Sequence, residues 1–292
     1  MPTLLVLAGL VVLLGILAEI WTEVLWYGQL GFGQVFRTRI LTQVVLFLLG
    51  GGVMAGAVAA SVTFAYRSRP VYAPVDTEQQ NLDRYRESLE PLRRLVMVVL
   101  PLGLGLFAGS AAAQQWQRVL LWLNQTPFGV KDPQFGLDIG FFVFTLPFLR
   151  FLTGFLTAVL VLALIAGAAT HYLYGGLRLQ GGGPRTTSAA RIHLASLVGL
   201  LVLVQAASYW LDRYSALTSE GEKFTGAGYT GIEAVLPAKA ILAGIAVLVA
   251  VLFFVAAARG SWRLPATGVG LLVVSAIVVG GIYPAVVQKF QV

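Results

Sequence analysis

Thr3-Leu4-Leu5-Val6-Leu7-Ala8-Gly9-Leu10-Val11-Val12-Leu13-Leu14-Gly15-Ile16-Leu17-Ala18 opens an apolar stretch that continues to Trp26. A helix needs ~20 such residues to cross the ~30 Å hydrocarbon core of a bilayer. Six further stretches of that kind follow, over about 41–65, 95–114, 150–173, 193–211, 238–258 and 265–287. In lipid an unpaired backbone N–H or C=O costs several kcal/mol, so each stretch must be a helix that satisfies its own ladder. The first lacks a basic n-region and a small-residue cleavage site, and it outruns a signal-peptide core, so it reads as a retained anchor. The expected fold is all-α: a polytopic transmembrane bundle of about seven helices with short interfacial helices, forming one domain over 1–292.

Composition agrees. Of the 292 residues, 58% are hydrophobic and 11% charged, where a soluble domain carries about 25% charged residues. Mean hydropathy is +0.82. The net charge of +7 sits beside the spans, so it reads as topology signal and contact with anionic lipid headgroups, not as a nucleic-acid footprint. Cysteine is absent, which excludes disulfides, thiolate metal sites and cysteine nucleophiles. With the N-terminus inside, the cytoplasmic face holds Arg67, Arg69, Arg84, Arg86, Arg93, Arg94, Arg178, Arg185, Arg191, Arg259 and Arg263. The outer face holds Arg37, Arg39, Arg118, Lys131, Arg150, Arg213, Lys223, Lys239 and Lys289. Eleven against nine is a small excess, but Arg67/Arg69 and Arg93/Arg94 hug both ends of one loop. The expected topology is N-in, C-out in the cell membrane.

Small residues recur at four-residue spacing in two spans: Gly52-x-x-x-Gly56-x-x-x-Ala60 and Gly105-x-x-x-Gly109-x-x-x-Ala113. Such stripes let helix backbones approach closely, so Gly52, Gly56, Gly105 and Gly109 are the expected packing positions, and Gly52→Leu or Gly109→Leu is expected to disrupt folding or assembly. Pro101 removes one ladder bond of the third span and predicts a bend. Asn81–Glu90 reads as a short amphipathic helix at the interface, with Leu82, Tyr85 and Leu89 on one face. Gly181-Gly182-Gly183-Pro184 reads as a flexible link, and Ser215 to Val235 as a large external loop. Residues 116–150 read as an extracytoplasmic cap, with Trp116 at headgroup depth, Pro/Gly/Asp turns after it, and Phe141 to Phe148 re-entering the bilayer.

Several of these segments resemble one family. The residues are Asn124-Gln125-Thr126-Pro127-Phe128-Gly129-x-x-Asp132-Pro133-x-Phe135-Gly136-x-Asp138, Phe144-x-Leu146-Pro147-Phe148 and Arg67-Ser68-Arg69-Pro70-Val71-Tyr72-Ala73-Pro74. Ser208-Tyr209-Trp210-Leu211-Asp212-Arg213-Tyr214 and Gly280-Gly281-Ile282-Tyr283-Pro284 complete the set. Together they resemble uncharacterised protein family 0182, bacterial multipass membrane proteins with no established activity. The resemblance implies about seven N-terminal spans followed by a much larger extracytoplasmic portion. This chain stops at Phe290-Gln291-Val292, so it reads as the membrane block alone.

Chemistry-bearing residues are few. Glu19 and Glu23 lie one turn apart near the outer end of the first span, and an ionisable group in a membrane is a functional candidate by default; Trp21 and Trp26 beside them point to headgroup depth, and pairing with Arg37 or Arg39, plain solvation and an ion or proton role are the alternatives. Gln205 could line the same path or act as interhelical glue, as could Gln43, Gln114 and Gln115. Asp132 and Asp138 could bind a hard cation, but their spacing fits no established loop, and capping of local turns is the simpler reading. His171 and His193 flank one loop and could meet; two ligands do not make a zinc site, so an interfacial hydrogen bond is expected. No metal site, cofactor fingerprint, phosphate loop or nucleophile elbow is visible, and no catalytic residue is assigned. The expected function is an anchoring and assembly module for an extracytoplasmic portion, with lipids, a second copy or an envelope protein as partners. The alternative is a transporter or channel past Glu19, Gln205 and Pro101; the spans show no buried charge network in its favour.

Overall fold

The computed structural model describes residues 2–70, 93–178, 186–219, 226–260 and 263–291. The expected helix at Asn81–Glu90, the glycine link at 181–184 and residues 220–225 lie outside them. Among the described residues there is no strand, only two isolated bridges, Lys131 with Asp138 and Leu177 with Thr186. The chain forms an all-α bundle in which seven helices are long and apolar enough to cross a membrane.

The helices are α1 (Pro2–Gln29), α2 (Gly33–Arg67), α3 (Arg93–Ala113), α4 (Trp116–Leu123), α5 (Leu146–Leu173), α6 (Ser188–Ser215), α7 (Leu236–Arg259), α8 (Arg263–Ile277) and α9 (Tyr283–Gln291). Most run beyond the apolar stretches. α2 begins well before Leu41 because Gln34, Arg37 and Arg39 extend the helix at the headgroup level, where water satisfies polar side chains. α3 passes through Pro101 as one continuous helix.

Three helices are joined to a preceding π turn: Phe141–Thr145 before α5, Gly231–Val235 before α7, and Val278–Ile282 between α8 and α9. One rule explains all three. Each turn is followed by one residue and then proline: Leu146-Pro147, Leu236-Pro237 and Tyr283-Pro284. Proline has no N–H, and its ring excludes the carbonyl four residues back. The residue before it bonds five residues back instead, as Leu146 N–H to Phe141 O, Leu236 N–H to Gly231 O and Tyr283 N–H to Val278 O. The wider turn keeps the backbone paired where lipid demands it. Phe141–Phe148 therefore forms the start of the helix that runs through Leu173, so the aromatic re-entry is itself helical and the span begins before Arg150.

The spans pack as a row, with α3 against α2, α2 against α5, α5 against α6, α6 against α7 and α7 against α8. Met54, Val58 and Val62 of α2 meet Ala108 of α3 and Val159 of α5 in one apolar core. Ala195 of α6 meets Val249, Phe253 and Ala257 of α7 in a second. α7 carries alanine at 238, 243, 246, 250, 256 and 257, all buried, which brings α6 close enough for a Cβ at Gly199 to stand 2.9 Å from the Phe254 ring.

The α2–α3 contact corrects the packing expected from the glycine stripes. Gly105 and Gly109 are at the interface: a Cβ at Gly105 would lie 2.9 Å from Ala55 Cβ, and one at Gly109 2.6 Å from Phe47 O. Their partners on α2 are Gly50 and Gly51, where an added Cβ would meet Ala112 Cβ at 2.6 Å and Gly105 O at 2.9 Å. At Gly52 and Gly56 an added Cβ would have nothing within 4 Å. One residue along a helix is a rotation of about 100°, so three consecutive glycines hide which one faces the neighbour. Gly52 instead borders an open lateral groove of about 230 Å³ with Phe47, Leu102 and Leu106.

Candidate functional site

Two polar clusters stand at opposite ends of the α5–α6 pair. On α5 they are centred on Arg150 and His171, and on α6 on Asp212 and His193. Separations of 21 and 19 residues at 1.5 Å per residue give about 30 Å, the thickness of a hydrocarbon core.

The first cluster is a hydrogen-bonded chain through three helices. Ser61 of α2 donates from Oγ to the Ala163 carbonyl of α5 at 2.6 Å. With its proton committed there, Ser61 Oγ accepts from His193 Nε2 of α6 at 3.4 Å. A neutral His193 then has its lone pair on Nδ1, which takes the Nε2–H of His171 at 3.1 Å. The carbonyl, which can only accept, thus fixes both imidazole tautomers. His171 Nδ1 is buried with no partner among the described residues, facing Gly176, where an added Cβ would stand 2.8 Å from it. A Cβ at Gly167 would strike Ser61 Oγ, and the Phe64 ring packs on His193 at 4.7 Å. Ser61 is 3% exposed and its proton points at a carbonyl, so this geometry holds it as a clamp and not as a nucleophile. The chain also ends at that carbonyl, which cannot pass a proton on.

The second cluster centres on Asp212. Arg150 Nη2 of α5 lies 2.6 Å from Oδ1, and Lys239 Nζ of α7 lies 2.8 Å from Oδ2. Arg150 also donates to Ser215 Oγ, from Nε at 3.0 Å and from Nη2 at 2.8 Å. The three charged side chains are each about three-quarters buried. Both cations come from the first turns of the helices that follow a π turn and Leu-Pro, so the same local device delivers Arg150 and Lys239 to α6 from either side. The sequence alone gives no sign of this network. Asp212 stands out there only within a run carrying the family resemblance, and nothing local reveals that cations 62 and 27 residues away converge on it.

The cap lies beside this cluster. α4 stacks Trp122 on Phe148 at 4.0 Å, and Tyr214 receives the Phe135 and Phe141 rings at 4.7 and 5.1 Å. Asp138 accepts from the N–H groups of Phe128 at 3.0 Å, Gly129 at 2.9 Å and Gly140 at 2.7 Å. The Phe128 N–H first, then those of Gly140 and Gly129, hold its carboxyl below the usual carboxylate range. Asp132 accepts from Gln134 at 3.2 Å and Phe135 at 2.5 Å. Both carboxylates close turns around left-handed Gly129 and Gly136, and no group of three metal-binding side chains occurs among the described residues.

The remaining candidates are dispersed. Glu23 receives Arg39 Nη1 at 3.4 Å, while Glu19 is exposed and has no hydrogen bond or ion pair among the described residues. Gln205 is half-buried on α6 between the two clusters, also without a hydrogen bond among those residues. The structure does not bring Glu19 and Gln205 together: α1 packs on α2, and α6 on α5 and α7.

Comparison with known proteins gives a single answer. The family described as "Uncharacterised protein family (UPF0182)" matches over residues 1–292. A UPF0182 protein of Kineococcus radiotolerans is 60% identical over 278 residues, covering 94% of this chain and 27% of the relative. One from an Arthrobacter species (strain FB24) is 53% identical over 291 residues, with 100% and 29% covered. One from Streptomyces coelicolor is 46% identical over 295 residues, with 99% and 30% covered. The chain thus spans under a third of the length of these curated relatives. No solved structure matches.

Proposed function

The chain belongs to uncharacterised protein family UPF0182, and from that premise we propose that it is an anchoring and assembly module, a closed helix bundle that fixes the rest of a longer protein to the membrane. The observation that carries the reading is the spacing of the two polar clusters. Each ties three helices together at one rim, about 30 Å from the other, and the bundle also holds two buried apolar cores, Val58 and Val159 where α2 meets α5 and Val249 and Phe253 where α7 meets α6. Clamps at the rims with a dry interior suit a rigid support. The dead end of the Ser61–His193–His171 chain at a carbonyl also weighs against proton conduction along it.

In this reading the N-terminus is cytoplasmic and the C-terminus extracytoplasmic, with Arg67 and Arg69 at the inner headgroups, where Arg69 lies over the Tyr66 ring at 4.1 Å. The Asp212 cluster and the cap then stand at the outer rim, beside whatever follows Val292 in longer relatives. Anionic lipid headgroups are the proposed contacts of both rims, and the module itself carries no catalytic role.

A transporter or channel is the second reading. It is favoured by Gln205, half-buried with no hydrogen bond among the described residues, and by the π turns, a feature frequent at functional sites. Ion and proton flux through vesicles containing the protein separates the two. The anchoring reading expects none above protein-free vesicles, and flux lost in Glu19→Gln or Gln205→Leu with folding intact overturns it.

A further inference from the structure

We propose that the end of α2 holds an anionic phospholipid of the bilayer, with its phosphate on Arg67 and its ester and first acyl carbons in the groove beside Thr63. The groove is open to the side, about 380 Å³ in volume, and lined by Ala60, Thr63, Phe64, Arg67 and Ser68. It lies at the last turns of the span Gly33–Arg67, where hydrocarbon gives way to headgroups. Gly56 continues the same helix face one turn deeper, with nothing within 4 Å of an added Cβ. The Phe64 ring that walls the groove packs on His193 at 4.7 Å, which fixes that wall in place.

The unpaired groups of the lining specify the occupant. Ser68 donates to the Phe64 carbonyl at 2.8 Å, and Arg69 lies over the Tyr66 ring at 4.1 Å. Arg67 and Thr63 hold no hydrogen bond or ion pair among the described residues. Thr22, Thr42, Thr157 and Thr170 each return the hydroxyl proton to the carbonyl four residues back in their own helix; Thr63 does not, so its donor is free in the groove. α2 carries no carboxylate that could take Arg67. Four residues of helix set Arg67 about 6 Å beyond Thr63 along the axis. Guanidinium, hydroxyl and apolar floor thus follow one another in the order phosphate, ester, acyl chain, which is how a phospholipid lies along the membrane normal. The guanidinium forks onto phosphate oxygens, the hydroxyl donates to an ester carbonyl, and Ala60 and Gly56 leave room for the chain. Water satisfies an arginine alone, but an apolar groove open to the side of a span faces acyl chains.

This inference gives the proposed lipid contacts of the rims one defined site and rests on them. The chain carries no cysteine, so Gly56→Cys labelled with bimane reports from the deep end of the groove alone. Quenching by brominated lipids in mixed vesicles then gives relative affinities. Brominated phosphatidylglycerol is expected to bind about fivefold more tightly than brominated phosphatidylcholine, the scale of one arginine at an anionic surface. Arg67→Gln is expected to abolish that preference and Arg69→Gln to keep it, whereas a diffuse surface potential loses equally from either. Thr63→Val is expected to weaken both lipids and leave their ratio unchanged. Equal binding of the two lipids, equal losses from the two arginine variants, no effect of Thr63→Val, or relief of quenching by inorganic phosphate at matched ionic strength overturns the site. None of these results bears on anchoring, because that reading fails by ion flux.

Discussion

His171 and His193 face each other across α5 and α6 with Nε2 and Nδ1 3.1 Å apart, and the proton between them is assigned by a carbonyl two links away. Ser61 must donate to Ala163 O, so both rings carry their proton on Nε2. The protein has only these two histidines. Nitrogen-15 NMR of histidine-labelled protein in lipid is expected to show two neutral Nε2–H tautomers at pH 7; an Nδ1–H ring refutes the chain.

Ser61→Ala strands the His193 Nε2–H donor in a buried setting. The expected loss is about 1–3 kcal/mol of stability, read by unfolding in detergent or lipid. A double-mutant cycle with His193→Phe is expected to show coupling, because the phenylalanine variant has no donor left to strand.

Packing at the α2–α3 contact separates neighbouring glycines. Gly51→Leu or Gly109→Leu drives a side chain into Gly105 or Phe47 backbone and is expected to cost about 1–3 kcal/mol or more. Gly52→Leu and Gly56→Leu are expected to be tolerated. Thermal stability of the four variants checks the register directly.

Asp212→Asn leaves Arg150 and Lys239 facing each other without a counter-charge. The three groups keep about a quarter of their surface in contact with solvent, so the expected destabilisation is about 1–3 kcal/mol, between the exposed and fully buried limits. Arg150→Met and Lys239→Met are each expected to be coupled to it in double-mutant cycles.

Asp138 sets the pH response of the cap. Its folded-state pKa is lowered, so its contribution is complete above the unfolded carboxylate value and is lost as pH falls through the lower folded value. Amide chemical shifts of Phe128, Gly129 and Gly140 are expected to hold steady from pH 7 to 5 and to move together only in stronger acid. Asp138→Ala is expected to shift all three at neutral pH.

The bundle is legible in the sequence because lipid imposes a strong rule: an apolar run of sufficient length must be a helix. Helix ends are less so, since Gln34, Arg37 and Asp212 continue helices at headgroup depth while interrupting hydropathy. The π turns leave a local sign, a proline two residues after the end of each. Which of Gly50, Gly51 and Gly52 packs on α3 is not legible, because the answer turns on a single 100° rotation. The Asp212 network is hidden for another reason: its three members lie on three helices, and only the packing order brings them together. Asp132 and Asp138 are readable as turn-closing carboxylates, since each precedes a backbone N–H within a few residues.

Ion and proton flux through vesicles containing the full chain tests the central claim most directly. A dry bundle clamped at both rims predicts flux no different from protein-free vesicles for protons, sodium, potassium and chloride, with Gln205→Leu and Glu19→Gln without effect. Protein-dependent flux that either substitution abolishes, in a chain that still folds, contradicts the account.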